Sequence, residues 1–217
     1  MAVLLAAGCG PGGPTTSPSG STPIAVVTTT TILADFVAQV GGPRLTVASL
    51  VPKGGEVHTF DPTPSDARRL AEADLVVANG LGLDAWLTEL AADAGTKAPI
   101  VAVAEDLPGA TYIADDGHDE EADARVDDED GHASEQPGDE GHDHGAVNPH
   151  LWLDVANARR YVDRIVAELR RVDPAGADAY AAAGSAYDAR LASLDADIRA
   201  AFAAIPPVSR RVVSYHE

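Results

Sequence analysis

The sequence predicts an α/β fold with an N-terminal parallel-sheet lobe, a long connecting helix and the first strand of a truncated second α/β lobe. Three observations lead to this prediction. Short β-branched runs alternate with segments of helical periodicity between residues 24 and 103, as in a parallel α/β layer. Apolar residues then keep near-heptad spacing from Tyr180 to Ile205, which indicates a helix of about 30 residues. Arg211–Tyr215 begins another strand, and because a strand is not stable alone, we expect a second lobe to be missing.

The first hundred residues supply the predicted sheet and three helices. Predicted strands cover 24–28, 45–51, 75–78 and 99–103, and predicted helices cover 31–40, 64–73 and 84–94. Gly41-Gly42 is typical of a helix end, and Asp84 is predicted to cap the third helix. Ligands of parallel sheets bind at the carboxyl ends of the strands. The loop after the second strand therefore lies on the edge where a site is expected.

Helices dominate the second half. Leu151–Leu153 is a short apolar piece that we expect to be buried, and Asp154 is predicted to cap a helix that ends at Val172. Asp173 and Pro174 fit the N-cap and N1 positions of the long helix, which we expect to act as a stiff strut between lobes. The arginines of the preceding helix are predicted to form a solvated face, with contact to a permease as the alternative: Arg159, Arg160, Arg164, Arg170 and Arg171.

The negative charge of the chain is concentrated in one segment. The 217 residues carry a net charge of −19, and residues 115–144 alone hold fourteen carboxylates against one arginine. This segment has too few apolar residues to fold by itself, so we expect a disordered acidic loop over 115–145. The overall acidity argues against nucleic-acid binding, which needs a basic surface.

The N-terminus resembles a site of lipid attachment. Met1–Cys9 is an apolar run that ends in Ala-Ala-Gly-Cys, as in a bacterial lipobox, and Cys9 is the predicted lipidation site. The run is shorter than the ~20 apolar residues of a transmembrane helix, and it lacks the basic start of a signal peptide. Residues 10–23 have the composition of a flexible tether. The alternative is a disordered apolar start with an incidental cysteine; as the single cysteine of the chain, it can form no internal disulfide.

Three histidines between or at the ends of predicted elements could share one metal ion. His58 follows Gly-Gly-Glu-Val in the loop after the second strand, His150 stands in Asn-Pro-His-Leu-Trp-Leu-Asp, and His216 lies in Ser-Tyr-His-Glu. No HExxH or CxxC pattern accompanies them, so a locally encoded zinc enzyme or zinc finger is not supported. For each histidine the alternative is an ordinary polar or buried side chain.

The acidic loop contains four more histidines: His118, His132, His142 and His144. With the neighbouring carboxylates they could collect zinc at low affinity, because binding would have to order a flexible segment. The alternative is a solvated charge run that only keeps the loop open and soluble.

Together these motifs resemble the zinc/manganese-binding solute-binding proteins of metal ABC importers. The resemblance covers about residues 24–217 and rests mainly on the His58 and His150 motifs. It implies two α/β lobes joined by a long rigid helix, with the ion held between them by His58, His150 and His216. The fourth ligand of such proteins is a carboxylate of the second lobe. The acidic, His-rich insertion is similar to that of zinc-importing members, whereas manganese-preferring members usually carry glutamate at the third ligand position; Glu217 adjoins His216 here.

The implied ligand set favours zinc. Three neutral imidazoles and a carboxylate suit Zn²⁺, whereas Mn²⁺, the alternative, prefers more oxygen ligands. Histidine binds a metal only when it is unprotonated. We therefore expect affinity to fall as the pH drops through the ordinary histidine pKa of ~6.5. A titration series in which affinity stays constant from about pH 5 to 8 would contradict histidine ligation.

The expected function is extracytoplasmic capture of Zn²⁺ and its delivery to an ABC transporter permease by a monomeric, lipid-anchored protein without a catalytic role. The expected segments are a leader and tether (1–23), a metal-binding lobe (24–154), a helical segment (155–205) and the start of a second lobe (206–217). One alternative is a manganese- or iron-binding importer component; another is a surface adhesin or metal buffer that works through the acidic loop. A zinc hydrolase with Glu56 or Asp61 as general base is less favoured, because neither residue sits in a hydrolase motif.

Overall fold

The computed structural model describes residues 22–114 and 147–211. Several predicted features lie outside these residues, and their positions stay predictions. They are Cys9 with most of the tether, the acidic loop, all but the first residue of the strand predicted at 211–215, and the histidines His118, His132, His142, His144 and His216.

Four parallel strands form the sheet, in the order β2-β1-β3-β4. They are β1 (Ile24–Thr28), β2 (Leu45–Ser49), β3 (Leu75–Ala78) and β4 (Ile100–Ala102). Thr28, the last residue of β1, pairs with Ser49 on one side and with Val77 on the other. The carboxyl ends of the strands therefore meet at one edge, and the predicted α/β class with a parallel sheet is confirmed.

Helices cover both faces of this sheet: α1 (Thr31–Gly41), α2 (Pro64–Ala71), α3 (Trp86–Asp93), α4 (Val155–Val172) and α5 (Ala177–Ala203). Successive side chains of a strand point to opposite faces. Val26 accordingly packs in a core with α1, α4 and the first half of α5. Its neighbour Val27 packs in a second core with α2 and α3. Both faces are apolar because each is buried under helices.

The second of the two C-terminal helices is the predicted long one, and it spans 27 residues. Its first half is buried through Tyr180, Tyr187 and Leu191. Farther along, the same apolar stripe is open to solvent, and Leu194, Ile198 and Phe202 are each close to half exposed. None of the described helices is long and apolar enough to cross a membrane.

The prediction that the arginines of α4 form a solvated face is only partly right. Arg170 and Arg171 are exposed as expected. Arg159, in contrast, donates two hydrogen bonds to the Asp188 carboxylate of α5 at 2.6 and 3.0 Å. Arg164 donates to the Glu105 carbonyl. The face is thus only partly solvated, because acceptors on packed neighbours lie within reach of two of its guanidinium groups.

Three local predictions also change. Strand β2 ends at Ser49 rather than at residue 51, although the next two residues stay buried beside the sheet. Leu151–Leu153 forms a 3-10 turn, so only Leu151 is buried and Leu153 is 77% exposed. Asp84 does not cap α3, whose N-cap position is Ala85, because its carboxylate accepts hydrogen bonds from the strand edge instead.

Candidate metal centre

The first candidate ligand, His58, stands in the loop that connects β2 to α2. Gly54 has a φ of 80°, in the left-handed region that glycine adopts without steric cost. The Gly55 amide donates to the Pro52 carbonyl at 2.9 Å and closes a tight turn there. The His58 amide donates to Glu56 Oε1 at 3.2 Å. The two glycines before the histidine therefore turn the chain at the carboxyl edge of the sheet.

Helix α3 holds this loop from the side. Trp86 Nε1 donates to the carbonyl of Val57, the residue before His58, at 3.0 Å. The indole also packs against Phe60, with ring centroids 4.8 Å apart. The peptide that precedes His58 is thus tied to a helix that belongs to the packed lobe.

The second candidate ligand, His150, lies just before α4. The Asn148 amide donates to the Ile113 carbonyl at 2.9 Å, and Ala114 pairs with Val147 in an antiparallel bridge. These contacts join the two flanks of the acidic segment. Pro149 is buried, and its carbonyl accepts a hydrogen bond from Asn79 Nδ2 at 3.0 Å.

The hydrogen bonds of His150 determine which ring nitrogen carries the lone pair of the neutral imidazole. Asn148 Oδ1 lies 3.0 Å from the His150 amide nitrogen and 3.0 Å from Nδ1 of the ring. The backbone amide can only donate, so the atom that it meets is the carboxamide oxygen, which can only accept. The hydrogen is consequently on Nδ1. In the neutral ring Nε2 is then the nitrogen that can bind a metal ion.

The structure brings His58 and His150 together although they are 92 positions apart in the sequence. Their ring centroids are 5.7 Å apart, and both residues are partly buried. Two imidazoles on one tetrahedral zinc ion, at bond lengths near 2.0–2.1 Å, have centroids about 5 Å apart. The observed centroid separation is close to this value.

The remaining predicted ligands are not among the described residues. Within residues 22–114 and 147–211, no three His, Cys, Asp or Glu side chains gather as a group that could hold a metal ion. His216 and the four histidines of the acidic loop lie outside these ranges. The described part of the chain thus supplies two of the three predicted histidines. One of them, His150, lines an open depression of about 580 Å³ together with Asn148 and Arg160.

A buried polar group beside the two loops was not predicted from the sequence. Asp84, which is 5% exposed, accepts hydrogen bonds from the amides of Asn79 and Gly80 at 2.6 and 2.9 Å and from Thr29 Oγ1 at 2.7 Å. The Tyr161 hydroxyl donates to Asn79 Oδ1 at 3.1 Å. Burial raises the pKa of Tyr161, so this phenol keeps its proton and remains a donor. Nothing in the local sequence around Asn79 indicated a contact with the His150 loop.

Comparison with known proteins identifies one family. The family described as "ZnuA: Zinc-uptake complex component A periplasmic" matches residues 26–217. The manganese-binding lipoprotein MntA of Halalkalibacterium halodurans is 32% identical over 210 residues, which are 97% of this chain and 60% of that protein. The iron-binding protein YfeA of Yersinia pestis is 30% identical over 189 residues, which are 87% of this chain and 52% of that protein.

A solved structure has the same fold. The periplasmic zinc binding protein TroA of Treponema pallidum superimposes with a TM-score of 0.65 at 24% identity, over 85% of this chain and 57% of that one. The chain therefore spans between half and two thirds of the length of these relatives.

Proposed function

The chain belongs to the ZnuA family, and from that premise we propose that it captures a divalent metal ion outside the cytoplasm for delivery to an ABC importer. The observation that carries the proposal is the pair His58 and His150, whose rings lie 5.7 Å apart on the loop edge of a parallel sheet. The family description names an uptake component, which favours transport over the hydrolase alternative.

We propose zinc as the cargo and manganese as the alternative. The names of the relatives do not choose between metals, because they include manganese-, iron- and zinc-binding proteins. The residues do favour one. Two imidazoles, with His216 as the proposed third, form a nitrogen-rich ligand set that suits Zn²⁺ better than Mn²⁺.

The location and partners follow from the same premise. Cys9 is the proposed lipid attachment site, and the relative from Halalkalibacterium halodurans is named a lipoprotein. A lipid anchor would place the protein at the outer surface of the cell membrane or in the periplasm, beside the permease that receives the ion. We propose that it acts as a monomer in this role.

Zinc and manganese titrations into the intact chain, with a competing chelator of known affinity, test the proposal. We expect one tight zinc site, weaker manganese binding, and a loss of at least tenfold in zinc affinity for His58→Ala and for His150→Ala. The matched control is His132→Ala, which removes a histidine from the acidic loop. Tight zinc binding that survives both ligand substitutions would refute the proposed site, and tighter manganese binding would make manganese the cargo.

A further inference from the structure

We propose that the segment from the end of β3 to the first residue of α3, residues 79–86 (the 79–86 connection), positions both candidate ligand loops relative to each other. The inference rests on the proposed function, since it concerns the geometry of the same site. It assigns Asn79 and Trp86 as positioning residues that contact the peptides before His58 and His150 and not the ion itself.

Two hydrogen bonds carry the inference. Trp86 Nε1 donates to the carbonyl immediately before His58, at 3.0 Å. Asn79 Nδ2 donates to the carbonyl immediately before His150, also at 3.0 Å. The two donors stand at opposite ends of one eight-residue segment. Each donates to the backbone carbonyl of the residue directly before a candidate ligand. A displacement of either donor would therefore be transmitted to an imidazole.

The 79–86 connection is itself held rigidly at its first end. The buried Asp84 carboxylate accepts from the amides of Asn79 and Gly80 and from Thr29 at the end of β1. Gly80 has a φ of 85°, and a Cβ there would lie 2.8 Å from the Cβ of Ala102 in β4. The segment is thus fastened to the strand edge on two sides, and its turn admits only glycine at that position.

The orientation of the Asn79 amide follows from its partners. Its Nδ2 meets two acceptors, the carbonyls of Gly80 and Pro149, both at 3.0 Å. Its Oδ1 meets the protonated hydroxyl of Tyr161 in α4. All three hydrogen bonds are buried, and each pairs a donor with an acceptor. Asn79 therefore links the end of β3, the His150 loop and helix α4 in one fixed arrangement.

Residues outside the ligand shell change metal affinity by fixing the ligands before the ion arrives. Substitution of such residues typically weakens binding by about 10- to 100-fold. We expect a loss of about tenfold for each donor, and a larger loss when both are removed, because each fixes a different imidazole.

The test compares zinc affinity with stability of the metal-free chain. Trp86→Phe keeps an aromatic ring against Phe60 and removes the Nε1 donor together with part of the indole. Asn79→Ala removes the other donor. The control, Tyr180→Phe, deletes a buried hydroxyl that donates to Asp173 at 2.7 Å in a different part of the lobe. The readouts are the zinc dissociation constant, the thermal midpoint of the metal-free chain and the absorption spectrum of bound Co²⁺.

We expect Trp86→Phe to weaken zinc binding about tenfold and to alter the Co²⁺ spectrum while the thermal midpoint stays within a few degrees. Tyr180→Phe should lower the midpoint and leave zinc affinity and spectrum unchanged. If Trp86→Phe binds zinc like the unmodified chain, the 79–86 connection has no positioning role. That result would overturn the inference even if Asn79→Ala does not fold. It is also distinct from failure of the proposed function, in which the unmodified chain itself would bind no zinc.

Discussion

At the scale of single residues, the backbone amide of His150 determines the tautomer of its own imidazole ring through Asn148. The amide of His150 fixes the Asn148 carboxamide oxygen in place, and that oxygen in turn fixes the ring hydrogen on Nδ1. A histidine held in one tautomer loses less orientational freedom when it binds a metal. We therefore expect Asn148 to contribute to affinity in the proposed site without being a ligand.

Replacement of Asn148 tests this contribution. Asn148→Ala removes the acceptor of the ring Nδ1–H, and we expect zinc affinity to fall about tenfold. Asn148→Asp keeps an acceptor and should retain most of the affinity. Chelator competition on the two variants measures the difference. Equal affinities for the alanine and aspartate variants would show that the hydrogen bond does not matter.

The sequence predicted the candidate ligands but not the residues that hold them. His58 and His150 stand in short loops with distinctive neighbours, which local sequence displays. The contact between Asn79 and Pro149 joins residues 70 positions apart, and that between Trp86 and Val57 joins residues 29 apart. A polar pair at such a separation leaves no periodicity or spacing in one sequence, so only the folded chain reveals it.

At the scale of elements, the junction of α4 and α5 is held by one carboxylate. Asp173 lies between the helices, and its Oδ2 accepts hydrogen bonds from Tyr180 at 2.7 Å and from Arg44 at 2.6 Å. These bonds, that of Tyr180 foremost, lower the pKa of Asp173 below its ordinary value of 3.8. A 3-10 turn at Pro174–Gly176 follows Asp173 and leads into α5. Through Asp173, the start of α5 is linked to Arg44, which lies just before β2.

The lowered pKa gives the stability of this junction a pH dependence. The charged carboxylate is preferred in the folded chain, so its stabilisation is fully present above the ordinary carboxyl pKa. It is lost as the pH falls from that value through the lower pKa of the folded state. We expect Asp173→Asn to reduce the free energy of unfolding by about 1–2 kcal/mol at pH 7, and the difference from the unmodified chain to shrink below about pH 4.

Urea unfolding at a series of pH values measures this effect. The control is Asp195→Asn, which breaks the exposed pair with Arg199 in α5 and should change the free energy of unfolding little at any pH, because solvent screens that pair. A penalty for Asp173→Asn that is the same at pH 3 and pH 7 would show that its charge is not the cause.

Helices α4 and α5 also approach each other closely at one glycine. A Cβ on Gly184 would lie 2.4 Å from Cγ2 of Val166. Alanine is the better helix former by about 1 kcal/mol, but overpacking typically costs 1–3 kcal/mol, and a β-branched valine has little freedom to move away. We expect Gly184→Ala to destabilise the chain by about 1 kcal/mol. In a Val166→Ala background the same substitution should become stabilising, and a double-mutant cycle by thermal unfolding would reveal the change of sign.

Element positions were predictable where local signals agree with packing. Helix α4 begins after Asp154, whose carboxylate accepts from the Ala156 amide at 2.8 Å, as predicted for an N-cap. Asp84 and Asp173 carry the same local signal, yet their carboxylates accept hydrogen bonds from residues far away in the sequence, Thr29 and Arg44 respectively. A capping residue whose carboxylate is engaged by tertiary partners cannot be recognised without knowing the fold.

At the scale of the whole molecule, the negative charge is concentrated in one segment of the chain. The packed lobe lies within residues 22–114 and 147–211, whereas residues 115–144 hold fourteen of the 34 carboxylates. The two flanks of that segment meet at the Ala114–Val147 bridge and at the hydrogen bond from Asn148 to Ile113. The residues on either side of the acidic segment are therefore connected to each other by backbone hydrogen bonds of the packed lobe.

This arrangement predicts that the acidic segment can be removed without loss of the lobe or of the proposed site. Replacement of residues 115–146 by Asn-Gly would join an antiparallel pair with a two-residue turn suited to it. We expect the thermal midpoint of the metal-free variant to stay within a few degrees, because the contacts at the flanks remain. The tight zinc site should also remain, since Asn148, Pro149 and His150 keep their partners.

The same variant separates the two proposed classes of metal site. Removal of His118, His132, His142 and His144 should abolish weak zinc binding, so the number of ions bound at high zinc concentration falls while the tight dissociation constant changes less than about threefold. Isothermal titration of both chains, each compared with its own His150→Ala variant, measures the two classes independently. If the deletion variant stays folded but loses its tight site, the function resides in the acidic segment and the metal-buffer alternative replaces the importer proposal. Retention of a tight site that depends on His150 would instead locate the cargo at the loop edge of the sheet, with the acidic segment as an accessory that raises the local metal concentration.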